Sequence, residues 1–108
     1  MRNDIIIKKM IGYIDKILSY SKDMSYTSFS ENTMIVDACI FNLSQLGELT
    51  NKLDKEFTDN YSDVPWNEMR GLRNKIVHDY EGVNLILVWE IVKTDLPELK
   101  KQLKVIMK

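Results

Sequence analysis

Apolar residues recur three or four positions apart near the beginning of the chain. This spacing is typical of an amphipathic helix, and it predicts a first helix from about Asp4 to Lys22. The apolar positions are Ile6, Ile7, Met10, Ile11, Ile14, Ile17 and Leu18. The following stretch, "SKDMSYTSF", is polar and has no apolar period, so we expect a loop there.

A second apolar run follows a sequence signal for a helix start. Ser28 and Glu31 have the spacing of an S-x-x-E capping box, which predicts a helix from about Ser30 to Asp54. Apolar residues cover much of its circumference, so we expect it to be the central, most buried helix. Gly47 lies within it, and indicates either a close contact between helices or the approach of a ligand to the backbone.

The middle of the chain alternates between polar and helical patterns. The stretch "KEFTDNYSDV" is rich in Asp, Asn and Ser, and we expect a loop. Pro65 suits the first position of a third helix, which is predicted to run to about Asp79. Asn84 is a plausible N-cap for a fourth helix.

A proline interrupts the last apolar stretch. Pro97 has no N–H group for a helix interior, so we expect a break or kink near Thr94 to Leu96 and a final segment to about Met107. Together these patterns predict an all-α fold, an antiparallel bundle of four to five helices.

The composition narrows the possible functions. The 108 residues fit a single domain, 1–108, and the net charge of −1 excludes a global basic field for nucleic acid. Cys39 is the single cysteine, so no intrachain disulfide can form; a small buried side chain is expected rather than a reactive thiol. No apolar run suggests a signal peptide or a membrane span, so we expect a cytoplasmic protein.

The third predicted helix carries four polar or charged side chains on one side. At 100° per residue, Arg70, Arg73, Asn74 and His78 share a sector about 140° wide. Asn74 and His78 are four residues apart and can form a hydrogen bond. The opposite side of the helix is apolar, with Met69, Leu72 and Ile76.

Two interpretations of this polar sector remain open from the residues alone. Arginines on a helix flank are commonly surface residues, and a histidine in a last turn is favoured by the helix dipole. Alternatively, Arg and His together can bind and react at a phosphate. One His and one Cys cannot form an ordinary zinc site, and no P-loop motif is present.

The motif "RNKIVHDY" has the form R-x4-H-x-Y and resembles the HEPN superfamily, specifically the HepT-like toxins paired with MNT-type nucleotidyltransferase antitoxins. The stretches "NLSQLGEL" and "LVWEIVKTDLPELKKQL" are similar to other segments of that family, so the resemblance covers about residues 1–107. One position departs from the pattern: members often carry Arg where this chain has Phe41.

The resemblance implies a homodimeric, metal-independent endoribonuclease with RNA as substrate and no cofactor. Arg73 and His78 would form the catalytic pair in a cleft between two copies, with Asn74 and Arg70 in support. Tyr80 would be the tyrosine that a cognate MNT-type nucleotidyltransferase antitoxin modifies with AMP to silence a toxin.

Two other functions remain possible at the level of sequence. The same helical dimer could be a non-catalytic, substrate-binding partner subunit of a small nucleotidyltransferase, or a dimerisation domain without a ligand. The pI of about 5.8 and Phe41 leave room for these alternatives, whereas the intact R-x4-H-x-Y motif favours the enzyme.

Overall fold

A computed structural model describes residues 2–78 and 84–108, without the side chains of Arg73, Val77 and His78. All regular structure in these residues is helical, which confirms the all-α prediction. The elements are α1 (Asn3–Tyr20), α2 (Tyr26–Glu31), α3 (Thr33–Thr50), α4 (Lys55–Asp59), α5 (Trp66–Arg70), α6 (Leu72–His78), α7 (Leu85–Glu90), a π-helical segment (Ile91–Asp95) and α8 (Leu96–Ile106). Among the described residues, none of the helices has the combined length and apolar character needed to cross a membrane.

Helix α1 occupies nearly the span that its apolar stripe predicts. Helix α1 packs against both α3 and α8, and five of the seven stripe residues are fully buried: Ile6, Ile7, Met10, Ile14 and Ile17. Ile11 and Leu18 are half-buried. On the outside, the Lys100 ammonium lies 2.6 Å from an Asp15 carboxylate oxygen and links α8 to α1. The first helix therefore connects the centre of the bundle to its last helix.

Helix α3 is the centre of the bundle, as its apolar circumference predicts. Helices α1, α2, α5 and α6 all pack on it. Its start differs from the prediction: Asn32 is the N-cap, and its Oδ1 accepts a hydrogen bond from the Ile35 N–H at 3.1 Å. Gly47 is buried on this helix, as the interpretation of close helix packing requires.

The expected loop before α3 contains a short helix, and the predicted capping box of Ser28 and Glu31 is wrong. The capping box lies one turn earlier: the Ser28 N–H donates to Ser25 Oγ at 3.1 Å, and the Ser25 N–H donates to Ser28 Oγ at 2.9 Å. Phe29 is buried and its ring lies 5.0 Å from that of Trp89. Burial of Phe29 therefore organises a segment too short to show an apolar period.

Helix α4 is a second element that the sequence pattern missed, because "KEFTDNYSDV" is expected to be a loop. Its ends are joined by an ion pair of 2.7 Å between Lys55 Nζ and Asp59 Oδ2. The Phe57 ring packs against the rings of Tyr61 and Trp66, with centroids 5.2 and 6.5 Å apart. The contact with Trp66 in the next helix explains why local polarity gave the wrong prediction.

The C-terminal part follows the sequence signals closely. Asn84 caps α7, with its Oδ1 accepting from the Leu87 N–H at 3.2 Å. The predicted break also occurs, as a π-helical segment that ends at Asp95, just before Leu96 and Pro97. Because a proline removes one bond from the α-helical ladder, a wider helical turn ahead of it is a natural accommodation.

The π-helical segment contains a lysine that contacts residues of two other parts of the chain. Lys93 Nζ donates a hydrogen bond of 2.8 Å to the carbonyl oxygen of Ser21, and it stands 4.8 Å from the centroid of the Trp89 ring. Ser21 is the residue that follows α1. Lys93 thus attaches the end of α1 to the C-terminal part of the bundle.

Candidate functional site

The helix that carries the polar motif is interrupted once. The single helix predicted from Pro65 to Asp79 is instead α5 and α6, with Gly71 between them and Pro65 as the N-cap of α5. The Lys75 N–H donates to the Gly71 carbonyl at 2.9 Å, so hydrogen bonding continues across the junction. The described part of the chain before the gap ends with α6, and Asp79 lies outside it.

Both short helices are anchored from the core side. The apolar stripe predicted for this region is confirmed, since Met69, Leu72 and Ile76 are all buried. The Trp66 indole N–H lies 3.1 Å from the Thr58 carbonyl and 2.9 Å from the Tyr61 carbonyl, so it joins the start of α5 to the end of α4. These contacts fix the position of the backbone from which the polar sector projects.

Arg70 is held by neighbours that the sequence pattern did not indicate. Its Nη1 donates to Asn67 Oδ1 at 3.2 Å, and its Nη2 donates to Thr58 Oγ1 at 3.4 Å. The side chain is half-buried. Arg70 therefore links α5 to the Thr58 side chain of α4.

Arg73, Asn74 and His78 all belong to the seven-residue helix α6. His78 lies five positions after Arg73, which corresponds to a rise of about 7.5 Å along the helix axis. Asn74 is exposed. The side chains of Arg73 and His78, and with them the predicted Asn74–His78 hydrogen bond, lie outside the described residues, as does Tyr80.

Lys75 is an exposed cation of this region that the sequence analysis did not select. Helical phase places it away from the Arg73 side of α6, which explains the omission. With Ile40, Ile76 and Asn84 it lines an apolar depression between α3, α6 and α7. The cavity volume is about 10 Å³, room for a single water molecule, so it is no pocket for a nucleotide.

The single cysteine is a core residue, as expected. Cys39 is fully buried, and this burial raises the pKa of its thiol from 9.0 to about 11. The thiol is therefore neutral at physiological pH, which confirms the structural interpretation. Among the side chains that the structure describes, no three His, Cys, Asp or Glu residues gather as a metal-binding group.

Comparison with known proteins identifies the family to which this arrangement belongs. The profile of the family described as "Ribonuclease HepT-like" matches residues 10–106, which include all of α3, α5 and α6. This chain belongs to the HepT-like ribonuclease family. The matched segment contains the R-x4-H motif on α6, so ribonuclease function and RNA as the class of substrate are supported together.

Relatives of this HepT-like chain have names that agree with the family. Two of them are proteins of Methanocaldococcus jannaschii, each named "Putative RNase". One is 37% identical over 92% of this chain and 85% of the relative. The other is 39% identical over 83% of this chain and 83% of the relative. A protein of Thermococcus cleftensis named "Probable ribonuclease HepT" is 30% identical over 81% of this chain and 79% of its own length. No solved structure matches this HepT-like chain significantly.

Proposed function

We propose that this chain is a metal-independent endoribonuclease, the toxin of a toxin–antitoxin module, and that Arg73 and His78 carry the reaction in a cleft shared by two copies. The observation that supports this most directly is that Arg73, Asn74 and His78 lie together on α6 in a HepT-like ribonuclease. Helix α6 is also firmly anchored by its buried stripe.

The chemistry requires little beyond these side chains. RNA supplies its own nucleophile, the 2′-OH, which attacks the adjacent phosphorus while the bond to the 5′-oxygen breaks. Histidine changes its charge near neutral pH, so His78 can take the proton from the 2′-OH. Arg73 can bind the phosphate through two N–H groups and offset the charge that develops on it. The departing 5′-oxygen takes up a proton from water and His78 returns its proton to the solvent, so the products would be a 2′,3′-cyclic phosphate and a 5′-OH.

Control would come from a partner that is a nucleotidyltransferase of the MNT type. Transfer of AMP from ATP to the hydroxyl of Tyr80, two residues after His78, with release of pyrophosphate, would add bulk and negative charge beside the phosphate site. RNA, which is itself an anion, would then be excluded by sterics and by charge repulsion.

The test is RNA cleavage by purified wild-type protein with EDTA present. Loss of a catalytic acid or base typically lowers a rate by roughly 10²–10⁴-fold, and loss of a group that stabilises developing charge lowers it by roughly 10²–10³-fold. His78→Ala and Arg73→Ala should therefore each remove most of the activity while the helical circular dichroism is kept. Arg2→Ala is the matched control, because Arg2 is an exposed arginine paired with Asp4 near the N-terminus. Activity that disappears on chelation, or that survives His78→Ala, would contradict the mechanism.

A second candidate function is supported by Phe41. Its side chain is 60% exposed on α3, where an arginine would have favoured RNA. An exposed aromatic ring favours contact with a protein, which suits a non-catalytic subunit that binds a small nucleotidyltransferase. The same cleavage assay separates the two functions, since that subunit would bind the partner and leave RNA intact.

A further inference from the structure

Lys75 is a cation of α6 that the proposed reaction does not use. At 100° per residue it lies about 160° from Arg73 around the helix but only about 60° from His78. It precedes His78 by three positions, a rise of about 4.5 Å along the axis, so the two positions are neighbours on the helix surface. Around α6 the order is therefore Arg73, His78 and then Lys75.

The carbon stem of Lys75 has an apolar surface on which to lie. The residue is exposed, yet together with Ile40 of α3 and Ile76 it lines the small apolar depression between α3, α6 and α7. Lysine places its methylene groups along apolar surface and keeps its ammonium in water. The depression therefore favours a stem that lies against it and an ammonium at its rim, one turn of α6 before His78.

The rim of this depression carries hydrogen-bond donors and no carboxylate. The seven described residues that line it include no Asp or Glu. One of them is the exposed Asn84, whose Oδ1 caps α7 by accepting from the Leu87 N–H at 3.2 Å and whose amide nitrogen is a donor. Lys75 belongs to none of the ion pairs formed among the described residues. The ligand that complements this rim is an anion.

The substrate class of the family identifies the anion. RNA is the class of substrate supported for this HepT-like chain. With a net charge of −1 the protein has no general attraction for RNA, so individual cations beside the site must supply it. The depression has room for only a single water molecule, which excludes a buried base or phosphate. The contact is therefore one that the ammonium makes at the surface, with a phosphate of a strand that passes along α6.

We propose that Lys75 is a substrate-binding residue that holds the RNA phosphate immediately 5′ to the scissile one. This inference rests on the proposed function, in which His78 takes the proton from the 2′-OH. Lys75 takes no proton and breaks no bond in this arrangement, because its part is to position the strand.

The direction along the RNA follows from the chemistry of the attack. The 2′-OH belongs to the nucleotide on the 5′ side of the scissile phosphate, so the group that deprotonates it must lie on that side. The next phosphate on the same side is the 5′-phosphate of that nucleotide. Lys75 lies one turn from His78, on the flank away from Arg73, and is therefore the cation placed to meet this phosphate.

The salt dependence of RNA binding tests the contact. The probe is a fluorescently labelled single-stranded RNA of random sequence with 2′-O-methyl groups, which lacks the attacking hydroxyl and cannot be cleaved. Each phosphate contact on a single strand contributes about 0.7 to the slope of log K against log salt concentration. Lys75→Met should therefore reduce this slope by about 0.7 and weaken binding about fivefold at roughly 0.1 M salt. Lys75→Arg should keep both at the wild-type values.

Lys101→Met is the matched control, because Lys101 is also exposed but belongs to α8, which packs on α1 and the π-helical segment. Its slope should equal that of wild type, and all variants should keep their helical circular dichroism. A wild-type slope for Lys75→Met would overturn the proposal. An equal reduction in Lys101→Met would overturn it as well, since any surface lysine would then contribute as much.

Cleavage of the same RNA pool with free 2′-OH groups tests the role and the direction. Lys75→Met should raise KM about fivefold and leave kcat unchanged, because the lost contact is the same before and during the reaction. Partial ethylation of the phosphates should show that a neutral phosphate 5′ to the scissile one slows cleavage by wild type but not by Lys75→Met. A loss confined to kcat, or equal interference in both proteins, would overturn the proposal.

The two assays separate this inference from the proposed function. A binding slope that depends on Lys75, in a protein that cleaves no RNA, keeps Lys75 as a phosphate-binding residue and contradicts the enzyme. Cleavage that depends on His78, with a slope that Lys75→Met leaves unchanged, keeps the enzyme and contradicts this inference.

Discussion

At the scale of single residues, Cys39 makes stability depend on pH in a defined direction. Its pKa is raised from 9.0 to about 11 because burial disfavours the thiolate. Above pH 9 the unfolded chain releases the thiol proton and the folded chain retains it, so unfolding becomes easier. The neutral thiol contributes fully to the free energy of unfolding below pH 9, and this contribution is lost as the pH rises toward 11. The total loss is on the order of 2–3 kcal/mol.

The measurement is the free energy of unfolding in urea, for wild type and for Cys39→Ala, at several values between pH 8 and pH 11, which span the shift in the thiol pKa. Every other ionisable group is the same in both proteins, so the difference between the two isolates the thiol. We expect the advantage of wild type to shrink as pH rises. A constant difference would mean that Cys39 titrates normally in the folded protein.

Tyr80 provides a prediction about control. Tyr80→Phe should remain a competent ribonuclease, because the proposed reaction assigns no step to the phenol oxygen. It should also resist silencing by the cognate nucleotidyltransferase and ATP, whereas wild type should gain mass in units of AMP at Tyr80. If Tyr80→Phe is silenced as wild type is, control must come from physical masking of the cleft.

Residues also differ in how far sequence alone could predict their role. The buried stripe of Met69, Leu72 and Ile76 followed from helical spacing, because each contact lies on one face of one helix. The engagement of Arg70 with Thr58 did not, because the two residues are twelve positions apart and meet only when α4 forms. The spacing of residues in a helix predicts the side of the helix on which an arginine lies, but the hydrogen-bond partners of its guanidinium depend on the tertiary fold.

At the scale of elements, the π-helical segment has a measurable role through Lys93. Lys93→Met keeps most of the apolar stem but loses the hydrogen bond to the Ser21 carbonyl and the contact with the Trp89 ring. A hydrogen bond from a charged group stabilises the folded protein by about 1.5–3 kcal/mol. The Lys93 side chain is partly exposed, which favours the lower end of this range. We expect urea denaturation to show a loss of about 1–2 kcal/mol.

Lys101→Met is the control for this change, because Lys101 is exposed on α8. Surface exchanges of this kind usually alter stability by less than about 0.5 kcal/mol. Equal effects of the two exchanges would indicate that Lys93 contributes only as a surface charge.

The sequence pattern predicted the long helices and missed the short ones. Helices α1 and α3, with 18 residues each, have several turns in which an apolar period can be recognised. Helices α2 and α4 have six and five residues, too few for a period, and each is organised by an aromatic contact with another element. The proline break was predictable because its cause, a missing N–H, is local.

At the scale of the whole molecule, the two tryptophans test whether the core is a single cooperative unit. Trp66 packs against Phe57, and Trp89 packs against Phe29 and Tyr26, yet both border one continuous cluster of buried residues. We therefore expect thermal unfolding followed by fluorescence and by far-ultraviolet circular dichroism to give the same midpoint.

The single-tryptophan variants Trp66→Phe and Trp89→Phe report the two regions separately. Each should show coincident fluorescence and circular dichroism transitions, although the midpoints will differ from wild type. A fluorescence transition in Trp89→Phe that precedes the loss of helix would show that the α4–α5 region unfolds independently of the rest.

The placement of α1 between α3 and α8 has a consequence for biosynthesis. A ribosome releases α1 first and α8 last, yet the apolar stripe of α1 is complete only when α8 covers it, and Ser21 meets Lys93 across 72 residues of chain. Contacts so distant in sequence close late, since the ends of a long loop must first be brought together. The core of a nascent chain therefore stays incomplete until α8 has emerged and covers α1.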